Sequence, residues 1–167
     1  MNQYFALFQL PEQFNIDDKQ LEQNYRLLAA QCHPDKFAAR SAFEQKQAMM
    51  MAATVNEAYR ILSNPLDRAA YLLKQQGIDA DAPEHTHFPA EFLMQQMQWR
   101  ETLEDARAEA DWTTLKELAA TIELEQTGLY QQLDAAFIQN QPEKAAELVR
   151  QGRFLHRLQS EIQAALP

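Results

Sequence analysis

Apolar residues recur at alternating steps of three and four along most of this chain, and only three glycines (Gly77, Gly128, Gly152) interrupt them. Such a chain buries its apolar positions by coiling into α-helices, because that spacing is the helical period and not the two-residue period of a strand. Ala, Leu, Gln and Glu dominate and β-branched residues are few, so helix propensity points the same way. An all-α fold is therefore expected, in one ordinary domain or two small ones.

Local signals place the helices. A short apolar segment with Tyr4, Leu7, Phe8 and Leu10 is closed by Pro11. Asp17 is suited to cap a second helix, with Gln20 three positions on as in a capping box, and its stripe is Leu21, Tyr25, Leu28 and Cys32. Pro34 stops it. A third helix is expected over about 41–62 on the stripe Ala48, Met51, Val55, Ala58 and Leu62. Asn64 and Pro65 then start a fourth, ended by Gly77 in the left-handed conformation. Residues 78–88 lose all periodicity and read as a linker. Three further helices follow, at about 89–110, 112–139 and 142–165. Their short connections imply antiparallel neighbours in a three-helix bundle in which Trp112 and Tyr130 pack.

Charge separates the two halves. Residues 1–76 carry 8 basic and 8 acidic groups, whereas 77–167 carry 7 and 16, so the whole net charge of −9 lies in the second half. Such a surface repels phosphate backbones, which argues against nucleic acid and for a basic or apolar protein partner. No apolar run approaches a membrane span, and the N-terminal residues lack the pattern of a signal or transit peptide, so a soluble, cytoplasmic protein is expected. The single cysteine, Cys32, rules out an internal disulfide and any multi-cysteine metal site.

His33-Pro34-Asp35 falls where two helices reverse direction. Proline drives His33 out of helical geometry and leaves the Asp35 carboxylate free to accept a bidentate hydrogen bond from an arginine on a partner. Lys36, Arg26 and Arg40 stand near enough in sequence to support such a contact electrostatically. The plainer alternative is that Asp35 caps the third helix. In the remainder of the first half, Tyr4-Phe5-Ala6-Leu7, the run His33 to Phe37 and the run Asn56 to Tyr71 together resemble a J domain over residues 1–76. That resemblance implies a helical hairpin tipped by His33, Pro34 and Asp35, with flanking helices, that triggers ATP hydrolysis in a DnaK-class chaperone. Lys19 and Arg26 are the only cations of the second helix, fewer than J domains usually carry, which implies a specialised partner.

Neither a Gly/Phe-rich segment nor a cysteine-rich module follows. With Tyr71-Leu72-Leu73, Glu91-Phe92-Leu93-Met94 and Arg153-Phe154-Leu155, the whole chain resembles the HscB-type J-domain co-chaperones of iron–sulfur cluster assembly. The resemblance implies three parts: a J domain at 1–76, a linker at 77–88, and a client-binding helical bundle at 89–167. It further implies an HscA-like chaperone and an IscU-like scaffold protein as partners, with no cofactor, no metal and no catalysis by the chain itself. A J fold serving a general DnaK chaperone or another client is the alternative.

A helical wheel for the fifth helix gives independent support. Phe92, Gln96, Trp99, Leu103, Ala106 and Ala110 share one direction, the expected bundle face. Leu93, Met94 and Met97 point elsewhere, in the company of Glu101, Glu104 and Asp105. Phe154 lies about a quarter-turn off the core stripe of the last helix. One reading makes these apolar residues a contact between domains. The other makes them an exposed patch with an acidic rim. In HscB-like proteins the positions matching Leu93, Met94, Met97, Glu101, Asp105 and Phe154 form the scaffold-binding surface. Three weaker signals are set aside: His85 and His87 are too few for a closed metal site, Cys32 fits an apolar stripe where thiols are inert, and His33 and Asp35 are separated by proline and expected not to pair.

Overall fold

In the computed structural model, which describes residues 3–82 and 87–167, side-chain caps mark the helix starts. Helix α1 spans Gln3–Leu7 and α2 spans Asp18–Gln31. Asp17 caps α2 by accepting from the backbone N–H groups of Lys19 and Gln20 at 3.0 and 3.2 Å. The expected capping box is only half made, because the Gln20 side chain donates to Asn24 instead. After Cys32 the chain turns through a short 3-10 segment, Pro34–Phe37. Helix α3, Ala42–Ser63, starts on Ser41, whose hydroxyl accepts from Glu44 N–H. Helix α4, Pro65–Gln75, starts on Asn64, whose side chain accepts from the N–H groups of Leu66 and Asp67. Gly77 ends it at φ 82°, a conformation glycine reaches without Cβ strain. Helix α5 is Ala90–Ala108, α6 is Trp112–Ile138 and α7 is Pro142–Ala165.

The described residues form seven α-helices and no strand, and they fall into two compact units, 1–77 and 78–167. In the first unit α2 and α3 form a hairpin whose core is Leu21, Val55, Ala58 and Leu62, closed by Phe5, Phe8, Leu66, Ala69 and Leu73. Tyr25 stacks on Tyr59 with centroids 4.0 Å apart and donates its hydroxyl to Asn56 at 2.8 Å, tying the two long helices together. Arg68 is buried. Its guanidinium donates to the carbonyls of Phe14 and Leu62 at 2.7 and 2.6 Å and lies over the Phe14 ring, so it fastens the α1–α2 connection to the α3–α4 corner. Met51, placed by its spacing on the core stripe, is exposed instead: the stripe narrows there to small Ala48 and Val55.

The second unit is an up-down-up bundle of α5, α6 and α7. Its core is made of Trp99, Leu103 and Ala106 of α5, Leu115, Leu118, Ile122, Leu129 and Leu133 of α6, and Leu148, Leu155, Leu158 and Ile162 of α7. The turns between them have no glycine. Ala110 and Asn140 take the left-handed position at φ 53° and 54°, and the next N–H reaches back to Ala106 and Ala136 at 2.8 Å. Residues 78–82 are less linker-like than their composition implies: Ala80 is buried and Asp81 forms a two-pronged pair with Arg153 of α7 at 3.0 Å. Trp112, expected in the bundle, is exposed because it occupies the first position of α6, ahead of the packed turns. No helix among the described residues is long and apolar enough to cross a membrane.

Candidate functional site

At the tip of the first unit, His33 holds φ −61° and ψ 136°, the extended geometry that a following proline imposes. Its Nδ1 accepts from Asp35 N–H at 3.2 Å, so His33 itself caps the turn Pro34–Phe37. Asp35 is therefore not the cap of α3, a role Ser41 fills. The two side chains come nearer than expected, Nδ1 to carboxylate oxygen 3.6 Å, because the 3-10 turn folds Asp35 back over His33. The carboxylate is 92% exposed, on a backbone stiffened by proline and by the histidine cap. It has the freedom to accept two parallel hydrogen bonds from a guanidinium brought by a partner.

Of the cations expected to support such a contact, Arg26 is tied to Glu22 at 2.6 Å and Arg40 to Glu44 at 3.6 Å, all on the surface. Lys36 has no ion pair among the described residues. Sequence spacing did not reveal a groove of about 1010 Å³ beside this tip, lined by Leu7, Cys32, Phe37, Phe43, Met50 and Met51. The run Met49-Met50-Met51 was its available signal, since three adjacent residues cannot share one buried stripe.

The second unit carries an apolar face on α5. Leu93, Met94 and Met97 are 43%, 63% and 71% exposed, and Glu101, Glu104 and Asp105 continue the same side towards the C-terminal end as an exposed acidic rim. Phe154 differs from the expected exposed residue. It is only 7% exposed, because Phe92 meets its ring edge-on at 5.8 Å and the Arg100 guanidinium covers it at 5.5 Å from the centroid. Arg100 is in turn paired with Glu161 of α7. Neither Arg100 nor Glu161 was singled out from the sequence; the signal was Arg100 seven residues after Leu93, on the same helical row.

Among the described residues no cluster of three or more His, Cys, Asp or Glu could hold a metal ion, and His85 lies outside the described residues. Cys32 is buried and its thiol donates to the Leu28 carbonyl at 3.1 Å. Nothing at either face assembles a nucleophile with a base.

Two family signatures match the chain: a DnaJ domain over residues 3–71 and an "HSCB C-terminal oligomerisation domain" over 88–163. The co-chaperone protein HscB homolog of Neisseria meningitidis serogroup A is 60% identical over 166 residues, 99% of this chain and 100% of the relative. The corresponding protein of Burkholderia multivorans is 41% identical, over 98% of this chain and 93% of the relative. The solved structure of chaperone HscB from Vibrio cholerae superposes with a TM-score of 0.85 at 36% identity, covering 96% of this chain and 95% of that one. Human co-chaperone protein HscB superposes with a TM-score of 0.89 at 30% identity, covering 96% and 80%.

Proposed function

The chain belongs to the HscB family of J-domain co-chaperones, and from that premise we propose that it is an adaptor between two protein partners. Its J unit engages a specialised DnaK-class chaperone of the HscA kind and stimulates ATP hydrolysis in that partner's own active site. Its helical bundle holds the client, an iron–sulfur scaffold protein of the IscU kind, and brings it to the chaperone during cluster assembly and transfer. Dependence on ATP places this activity in a compartment that supplies ATP, such as the cytoplasm.

The observation that carries the reading is the pairing of two different exposed features on one chain: a carboxylate on a stiff turn and an apolar face with an acidic rim. On the J unit, Asp35 takes the partner's guanidinium, His33 and Pro34 hold the turn, and Lys36, Arg26 and Arg40 steer acidic groups of the chaperone towards it. On the bundle, Leu93, Met94 and Met97 desolvate against apolar groups of the client while Glu101 and Asp105 meet its basic ones. Phe154 supports this face from beneath.

The test is made with purified components. Chaperone ATPase is measured with the scaffold alone and after the full chain is added, in parallel with a general DnaK chaperone. The reading expects a rise on addition, larger for the specialised chaperone. No rise with either chaperone refutes it.

A further inference from the structure

The client face just proposed is interrupted by a cation. Leu93, Met97 and Arg100 follow one another at steps of four and three along α5, so their side chains share one row. Leu93 and Met97 offer apolar surface there. Arg100 instead lays its guanidinium over the ring of Phe154, which is 7% exposed although the α5 residues of this row, Leu93 and Met97, are exposed. Phe92 occupies another side of that ring. Of the two groups that cover the ring, Phe92 is aromatic and could share a client contact with it, whereas the Arg100 guanidinium is the polar cover that withholds it from one.

Glu161 supplies the reason the cation stays. It reaches from α7, seven residues beyond Phe154, and pairs with the Arg100 guanidinium. Both side chains are about half exposed, at 41% and 44%, so the pair sits in partly screened surroundings and can open without unfolding the bundle. Guanidinium over an aromatic face contributes a further modest attraction. The latch is therefore made of two contacts, each weak enough to be exchanged.

Resting on the client reading above, we infer that Arg100 and Glu161 set client affinity. Glu161 tethers Arg100 as a lid over Phe154, and docking swings the guanidinium aside so that the ring joins Leu93 and Met97 against an apolar client surface. The energy of the tether is subtracted from the affinity. Releasing it makes the client bind more tightly.

The experiment measures binding of the purified iron–sulfur scaffold protein to the full chain by calorimetry at low and high salt. An exposed ion pair of this kind corresponds to a change of about two- to fivefold, so Glu161→Gln should tighten binding by about that factor. Glu161→Asp, which keeps the charge, should return affinity towards that of the unaltered chain. Raising salt screens the pair, so the ratio of the two affinities should fall towards one, a response a merely structural role of Glu161 does not give. Unchanged or weaker binding by Glu161→Gln, or a ratio indifferent to salt, overturns the inference. Leu93→Ser in the same series separates the two claims: if it weakens binding while Glu161→Gln does not strengthen it, the lid alone is refuted. If Leu93→Ser has no effect, the client face itself is wrong and the lid falls with it.

Discussion

Replacing Leu93, Met94 and Met97 together by serine tests the proposed client face separately from the rest of the molecule. Complete burial of a leucine or methionine side chain is worth about 1.5–3 kcal/mol. The free protein leaves 43%, 63% and 71% of these residues in solvent, so that fraction remains to be gained on docking. This amounts to about 1–2 kcal/mol for each residue, and roughly 3–5 kcal/mol for the three if a client covers them fully. Scaffold affinity should then fall by a factor on the order of 10² to 10⁴. Because none of the three is among the buried residues of the core, the melting temperature should hold, surface changes being within about 0.5 kcal/mol. Calorimetric titration with scaffold and a thermal melt, run on the same samples, read both quantities. Phe154→Ala behaves differently: it empties a buried site and should cost about 3–5 kcal/mol of bundle stability, so its effect on binding cannot be read as a lost contact. Affinity of the triple variant within about threefold of the unaltered chain would refute the reasoning.

Other expectations concern the scaffold that presents the two faces. Arg68→Met should destabilise the first unit by about 2–4 kcal/mol in urea unfolding, since the carbonyls of Phe14 and Leu62 lose buried donors. Ala110→Gly should raise the melting temperature of the second unit, because the left-handed position costs a residue with Cβ about 1–2 kcal/mol. Hydrogen bonds from the Thr114 hydroxyl and N–H hold the Asp111 carboxyl below its ordinary value, and the Arg60 guanidinium does the same for Glu57. Groups lowered in the folded state bind protons more readily when unfolded. Their stabilisation is present above the ordinary carboxylate range and is lost as pH falls through the lowered folded values. Asp111→Asn should therefore flatten the acid limb of stability against pH, measured by urea unfolding, and an unchanged limb would contradict the assignment.

Helix positions were legible in the sequence because Asx residues and prolines state them locally. Asp17, Asn64 with Pro65, and Gly77 are found where their chemistry requires, and the bundle helices begin within a residue or two of Pro89, Asp111 and Pro142. The turns after α5 and α6 were less visible, since Ala110 and Asn140 take a conformation for which glycine is the usual signal. The apolar face of α5 emerged from the wheel alone. The burial of Phe154 did not, because a wheel gives a direction about its own axis and says nothing of what stands opposite. Here that is Phe92 and Arg100, brought over by packing of α5 on α7. Met51 differs for a related reason: between buried Ala48 and Val55 it opens onto the groove with Leu7, Phe37 and Phe43, which spacing along one helix does not reveal.

The account rests on Asp35, and the measurement that bears on it most directly is single-turnover ATP hydrolysis by the purified HscA-type chaperone, with the unaltered chain or with Asp35→Asn. Asparagine keeps the size of the side chain and leaves the turn, capped by His33 and stiffened by Pro34, in place. It removes the negative charge and one of the two acceptor oxygens. The account predicts that stimulation of hydrolysis is lost while scaffold affinity is unchanged. Stimulation at the level of the unaltered chain would contradict it.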